Sequence, residues 1–283
     1  MDFAAGIDFG GTSTKIGLVS REGTVLCRDF VPLDTAAGYE QTLDPVARRL
    51  TDMVRECGAS SRLAVIGIGM PGFIEKSGGT VVGGCENIPV LRGKSVQDYL
   101  SRALGAPAFS ENDATSAAAG ELVFGAGRTI SNFLLITLGT AIGGGLVLGG
   151  RVYRGWRGFA AEAGHVCVVS DGLLCSCGSR GCFEQYASGT AIVRAYRERL
   201  RKRGTDNPQA TPRLVAEKAA AGDLAARDTL EEAGRYIAQA LGTILNLLDL
   251  EACLVGGGVS SAGDLLLEPV RRRLPDYCWP EIG

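Results

Sequence analysis

The sequence predicts an α/β chain of two lobes with a cleft between them, each lobe opening on the same mixed-sheet unit. Three observations carry this. Strand-like runs alternate with segments of helical period along the chain. The stretches from Gly6 to Val31 and from Asn132 to Val152 share one order of strand, glycine turn, strand, turn, strand. The 283 residues, 46% hydrophobic, suffice for two cores of medium size. The seam is expected near Asp113–Gly127, giving an N-terminal lobe of residues 1–115 and a C-terminal lobe of residues 116–283.

In order, the opening FAAGIDFGGTSTKIGLVSREGTVLCRDFVPL reads as three strands with tight turns. Leu43, Val46, Leu50 and Val54 then fall at helical spacing, predicting a helix from about Thr42 to Cys57. RLAVIGIGMPG is a buried strand, SVQDYLSRAL a second helix, and APAFSENDATSAAAGELVFG a strand running into an alanine-rich helix. SNFLLITLGTAIGGGLVLGGRVYRG repeats the opening theme. Helices follow at about Ser188–Arg203, Thr211–Ala221 and Leu224–Asp249, then the strand in ACLVGGGVS and a last helix near Gly263–Leu274.

Charge and composition exclude some functions. Lysine and arginine total 29 against 31 acids, a formal charge of −2, so nothing draws the whole chain to nucleic acid or anionic lipid. The start, MDFAAGIDFGG, lacks the basic and apolar regions of a signal peptide, and no apolar run is long enough to span a bilayer. A cytoplasmic setting is expected, where clustered cysteines more often hold a metal than form disulfides. Cys27, Cys57, Cys85, Cys167, Cys253 and Cys278 are scattered and read as small apolar residues.

Four stretches carry chemistry. In DFGGTSTK, Gly10 and Gly11 let backbone N–H groups approach phosphate oxygens, Thr12 adds a hydroxyl, Lys15 a charge, and Asp8 is suited to hold hydrated Mg²⁺. The stretch is neither a Walker A loop nor a dinucleotide fingerprint, and a solvated glycine hairpin would read the same. TLGTAIGGG repeats the idea with Gly139 and Thr140, so two such turns would grip a polyphosphate from two sides. In SENDATSAAAGE, Asn112 suits sugar hydroxyls and Asp113 suits a base that takes the proton of an attacking hydroxyl; helix capping is the plainer alternative. Finally, HVCVVSDGLLCSCGSRGCFEQ holds the chain's single histidine, His165, with Cys175, Cys177 and Cys182. Cys₃His is a closed tetrahedral zinc set, so the metal expected is structural; reduced free thiols or a disulfide are the other readings. Glu162 and Glu184 flank this loop and suit sugar hydroxyls, or are plain surface acids.

Together these residues resemble the ROK family, sugar kinases and related repressors of the actin-like, ribonuclease-H-like ATPase superfamily. DFGGTSTKIG is similar to the family's first phosphate loop, LGTAIGGG to its second, and EAGHVCVVSDGLLCSCGSRGCFE to its E-x-x-H and C-x-C-G-x-x-G-C-x-E signature. The resemblance implies transfer of the ATP γ-phosphate to a hexose, with Asp113 as base. Gly72, Asn87, Asn112, Glu162, His165 and Glu184 would contact the sugar, His165 doubling as a zinc ligand. Asp8 would help hold Mg²⁺, Thr140 would meet phosphate, and Gly256, Gly257 and Gly258 would lie beside adenine. Glucose is the first expected acceptor, ahead of N-acetylmannosamine, N-acetylglucosamine, fructose, allose or a β-glucoside. The implied partners are sugar and ATP, without nucleic acid or membrane, in a homodimer or homotetramer. Repressor members carry an N-terminal DNA-binding module; here the phosphate loop begins at residue 8, so the kinase branch is expected. Kinase members usually add a glycine-rich turn and an alanine-rich helix after the last strand, and the stretch LPDYCWPEIG departs from that pattern. A sensor that binds sugar without catalysis, and a zinc module unrelated to sugar, are the rival readings.

Overall fold

The computed structural model describes residues 2–57 and 62–282. In chain order its elements are β1 (Asp2–Phe9), β2 (Ser13–Ser20), β3 (Val25–Pro32), α1 (Tyr39–Glu56), β4 (Arg62–Met70), β5 (Phe73–Ile74), β6 (Val81–Gly83), α2 (Val96–Leu104), β7 (Ala108–Asn112) and α3 (Asp113–Phe124). There follow β8 (Phe133–Leu138), β9 (Ile142–Leu148), β10 (Arg151–Tyr153), α4 (Glu184–Ala187), α5 (Gly189–Lys202), α6 (Pro212–Ala220), α7 (Leu224–Leu248), β11 (Ala252–Gly256) and α8 (Asp264–Arg273). Tertiary contacts divide the chain into two compact units: Met1–Phe124 with Arg154–Ala160, and Gly125–Tyr153 with Ala161–Gly283.

The first unit is built on a sheet in the order β3-β2-β1-β4-β7. β1 alternates, with Phe3, Ala5, Ile7 and Phe9 buried, so its apolar residues face one side. That face meets α1, whose Leu43, Val46, Ala47, Leu50 and Met53 form a stripe at helical spacing. The helix starts three residues earlier than Thr42, with Thr42 N–H bonded to the Gly38 carbonyl. β1, β2 and β3 run antiparallel, while β4 joins β1 and β7 joins β4 in parallel. Three parallel strands therefore deliver their carboxyl ends to one edge: Asp8 pairs with Gly69, and Gly69 with Glu111.

The second unit repeats this plan in the order β10-β9-β8-β11, with β8 and β9 antiparallel and β11 parallel to β8. β1, β2, β3 and β4 thus have their counterparts in β8, β9, β10 and β11, and the duplication expected from the sequence is present in the pairing itself. Its helical layer centres on α7, whose small residues admit close neighbours. A Cβ on Gly234 would lie 2.5 Å from Pro269 Cβ, and one on Gly242 would lie 2.6 Å from Tyr277 Cβ. α8 and the turn after it pack into those gaps.

The division falls within the expected seam of 113–127, nine residues past the 115/116 lobe bound. A boundary at 115/116 would cut α3, but that helix packs along β4, Ser116 lying beside Gly69. α3 thereby stays with the first sheet, and the division falls at 124/125. Residues Arg154–Ala160 also return to the first unit: Arg154 Nε pairs with Glu111 Oε2 at 2.5 Å, and Phe159 packs on Phe73 with ring centres 5.1 Å apart. The scattered cysteines are likewise mixed. Cys85 and Cys278 are buried as expected, whereas Cys57, at the end of α1, and Cys167 are exposed.

Candidate functional site

In the first unit the predicted residues collect at the carboxyl edge of the parallel strands, where ligands of open α/β sheets bind. Asp8 stands one residue before the end of β1, and Lys15 faces it across the β1–β2 hairpin, Nζ to Oδ2 3.1 Å. Gly10 closes the turn by donating to the Ser13 carbonyl at 3.0 Å, while the Thr12 carbonyl accepts from Leu33 N–H. Gly11 lies against Asn87: a Cβ on it would sit 3.7 Å from the Asn87 amide nitrogen. At the end of β7, Asn112 Oδ1 accepts from the Ala114 and Thr115 N–H groups at 3.0 and 3.1 Å, capping α3. Its amide nitrogen donates to the Gly72 carbonyl at 3.3 Å. Gly72 has φ of 101°, and a Cβ there would lie 2.4 Å from the Gly83 carbonyl oxygen. No residue with a side chain fits that turn without displacing backbone.

Asp113 opens α3 between these groups. The residue is exposed to solvent, yet the protein packed around its carboxyl desolvates it enough to push its pKa up. The Ala114 N–H, 2.7 Å from Oδ1, opposes that rise, and the nearby negative charge of Asp8 adds to it. A carboxylate whose pKa is raised in this way is a stronger base than a free one.

In the second unit the β8–β9 turn holds Gly139 and Thr140, with Gly139 N–H bonded to the Ala141 carbonyl at 2.9 Å. Two other segments press on it. Gly189 N–H, at the head of α5, donates to the Gly139 carbonyl at 2.8 Å, and the Thr190 hydroxyl donates to the Thr140 carbonyl at 2.9 Å. Gly256 ends β11 opposite Thr137, and Gly257 follows with φ of 86°; a Cβ on Gly257 would lie 2.5 Å from the Leu138 carbonyl oxygen. The glycines expected beside adenine and the second phosphate turn are therefore neighbours.

The cysteine loop is in the same unit. Glu184 Oε2 accepts from Ile142 N–H at 3.1 Å, tying the start of α4 to β9. A Cβ on Gly164 would lie 2.3 Å from the Ile142 carbonyl oxygen, so the turn carrying Glu162 and His165 packs on the same strand. Gly178 and Gly181, with φ of 90° and 74°, let the chain fold Cys175, Cys177 and Cys182 together. Cys175 Sγ is 3.6 Å from His165 Nδ1, Cys177 Sγ is 3.6 Å from Cys182 Sγ, and all four donor atoms lie within 4.8 Å of one another. Tetrahedral zinc, with bonds of about 2.3 Å to sulfur and 2.0 Å to nitrogen, separates its ligands by about 3.5–3.8 Å. The donors fit that set with a slight contraction. The other ring nitrogen, Nε2, lies 4.0 Å from Glu162 Oε2. Burial, together with the Cys177 and Cys175 thiols beside it, pushes the Cys182 thiol up to about 12.

Each unit thus assembles its own share of the predicted residues. Asp8, Gly10, Gly11, Thr12, Lys15, Gly72, Asn87, Asn112 and Asp113 gather in the first. Gly139, Thr140, Gly256, Gly257 and Gly258 form one group in the second, and Glu162, His165, Cys175, Cys177, Cys182 and Glu184 another. Sequence reasoning missed the Glu111–Arg154 pair and the bracing of Thr140 by Thr190. The second carried a signal, since Ser188 in ASGTA is a helix cap, its hydroxyl accepting from Ala191 N–H at 3.2 Å.

Comparison with known proteins extends this picture. The ROK family profile matches residues 4–281. A glucokinase of Streptomyces coelicolor is 36% identical over 96% of this chain and 87% of its own. A ROK family glucokinase from Streptomyces griseus, solved in complex with glucose and AMPPNP, superposes with a TM-score of 0.82 at 34% identity, over 97% of this chain and 89% of that one. A ROK family transcriptional regulator, a homologue of the E. coli MLC protein, superposes with a TM-score of 0.87 at 25% identity, over 99% of this chain and 72% of that one.

Proposed function

Because the chain belongs to the ROK family, we propose that it is an ATP-dependent hexose kinase that transfers the γ-phosphate of ATP to a sugar hydroxyl, forming glucose 6-phosphate from glucose. Asp113 carries this reading: a carboxylate at the head of α3, beside Asp8 and the capping Asn112, whose surroundings raise its basicity. The likeness to glucokinases along nearly the whole chain supports glucose as the first acceptor. N-acetylmannosamine, N-acetylglucosamine and other hexoses are the alternatives.

In this reading Asn112, Asn87, Gly72, Glu162, His165 and Glu184 hold the sugar. Asp113 accepts the hydroxyl proton as the oxygen attacks phosphorus, and most of the remaining catalysis is positioning and charge stabilisation. Backbone N–H groups at Gly10–Thr12 and Gly139–Thr140 meet the phosphates, Lys15 adds positive charge, and Gly256–Gly258 lie beside adenine. Asp8 would hold Mg²⁺ through water, which would supply charge neutralisation on the phosphates. His165, Cys175, Cys177 and Cys182 would hold zinc, which would supply rigidity to the loop carrying Glu162 and Glu184. A cytoplasmic setting accords with the absence of a disulfide among the described residues. No described helix is long and apolar enough to cross a membrane.

The test is a coupled assay for ADP release over a panel of hexoses. Turnover with glucose above the other sugars is expected. The likeness to a transcriptional regulator favours one other reading, a sensor that binds sugar without turnover. Sugar binding by calorimetry with no ADP release from any hexose would select it.

A further inference from the structure

Two cysteines outside the zinc set stand together in the first unit. Cys27 lies on β3, the edge strand of its sheet, and Cys57 directly follows the last residue of α1. Their thiols are hydrogen-bonding neighbours, Cys27 half-buried and Cys57 exposed. We propose that Cys27 and Cys57 are a redox modification site, a dithiol that a low-molecular-weight disulfide oxidises to an intramolecular disulfide, stapling α1 to the edge strand.

The fold brings the two segments together by means other than the thiols. Along β3, Cys27, Asp29 and Val31 turn to the covered side, while Leu26, Arg28 and Phe30 are exposed. α1 lies on that covered side. Its Arg49 donates from Nε to Asp29 Oδ2 at 2.6 Å and from a terminal nitrogen to Glu56 Oε1 at 2.9 Å. One planar guanidinium thus holds both the residue two positions from Cys27 and the residue next to Cys57. Cys57 N–H bonds to the Met53 carbonyl at 3.1 Å, so its backbone continues the helix, and Cys27 and Val54 pack against the same core. The site is remote from the proposed phosphate chemistry. Cys27 pairs with Leu18, whereas β3 reaches the β1–β2 turn only where Pro32 pairs with Ser13. The inference therefore holds whether or not the chain is a kinase.

Exposure sets the order of the steps. Cys57 meets the oxidant first. Its thiol gives up a proton, and the thiolate attacks one sulfur of the small disulfide. That S–S bond breaks, a mixed disulfide forms on Cys57, and the released thiolate takes a proton. Cys27 then loses its proton and attacks Cys57 Sγ, expelling the second small thiol, which is protonated in turn. Two protein thiols lose two electrons and two protons, and one small disulfide becomes two thiols. Burial first, then the Cys57 thiol beside it, raise the pKa of Cys27, so Cys27 stays protonated and enters second, where proximity favours it.

The test is a tryptic map of the full chain treated with oxidised glutathione, its remaining thiols then blocked. The peptides Glu22–Arg28 and Glu56–Arg62 hold one cysteine each. They are expected as a linked pair, two hydrogens lighter than their sum and at least about tenfold more abundant than a glutathione adduct on Cys57, the second step being intramolecular. Reduced glutathione should restore both thiols. Cys27→Ser should trap the adduct on Cys57, and Cys57→Ser should leave Cys27 modified at least about tenfold less than that. Three results overturn the proposal: no linked pair in the wild-type chain, a Cys57 adduct that persists there unresolved, or Cys27 modified as readily in Cys57→Ser as Cys57 is in Cys27→Ser.

Discussion

At the β1–β2 turn, a Cβ on Gly11 would touch nothing closer than Asn87 at 3.7 Å, whereas at the β8–β9 turn the head of α5 bonds to Gly139 and the Gly257 backbone presses on Leu138. The two turns grow from one pattern, strand, glycine, threonine, strand, yet they are held by different forces. The first is exposed and set by its own strand pairing and by the Lys15–Asp8 pair. The second is set by packing from two segments far along the chain. The same asymmetry separates the strands themselves: β1 buries every other residue, while β8 buries nearly all of its residues. A buried strand sandwiched by structure on both faces reads as a continuous apolar run. One unit presents reactive side chains at an open edge, and the other gains its geometry from glycines and a thiol clasp.

That contrast predicts where chemistry and where stability fail first. Asp113→Asn should lose about 10²–10⁴ in kcat with sugar affinity retained, because it removes a proton acceptor and leaves the capped α3 in place. Turnover at the parent rate would remove Asp113 from the role of base.

The second unit should respond to metal instead. Protein prepared without chelator is expected to hold one zinc per chain, and Cys182→Ser to hold none. The variant should lose roughly 2–5 kcal/mol, the scale of removing a native cross-link, in chemical denaturation, with the first unit's share of the transition unchanged. Equal stability with and without zinc would mean that the thiols are no clasp.

Next in size are the glycines. Gly257→Ala should cost about 1–3 kcal/mol, from strain at positive φ and the clash with the Leu138 carbonyl. Gly11→Ala should stay within about 0.5 kcal/mol, because the space is open. Equal costs would mean that the two turns are held alike.

Much of this contrast was legible in the sequence, and its limits have physical causes. The strands of both openings showed because alternation and apolar runs are local signals. The Cys₃His set showed because ligand spacing is written in the chain, and the four donors do converge. The seam was legible only to within 113–127, because which sheet α3 packs against is a property of packing and not of local sequence. The return of Arg154–Ala160 to the first unit was hidden because it depends on Glu111 and Phe73, more than 40 and 80 positions away in sequence. β5 and β6, of two and three residues, are too short to have a period.

The smallest predicted effect sharpens the comparison most directly, because it isolates the charge coupling of the first unit. Burial raises the Asp113 pKa and the Asp8 charge raises it further. A base works only when deprotonated, so kcat/KM should fall as pH drops through that raised value, at a pH above the ordinary carboxylate range of about 4. Asp8→Asn removes one of the two causes, and the acid limb of its residual activity should move to lower pH while burial keeps it from returning fully. The linked effect on stability has a definite sign. A carboxyl whose pKa is higher folded than unfolded binds its proton more tightly in the native state, so stability falls as pH rises between the two values and the loss persists above both. Asp113→Asn should therefore stabilise the chain at neutral pH and not at a pH below both pKa values. An acid limb that ignores Asp8→Asn, with a stability gain independent of pH, would show that the two carboxylates at this edge do not sense each other.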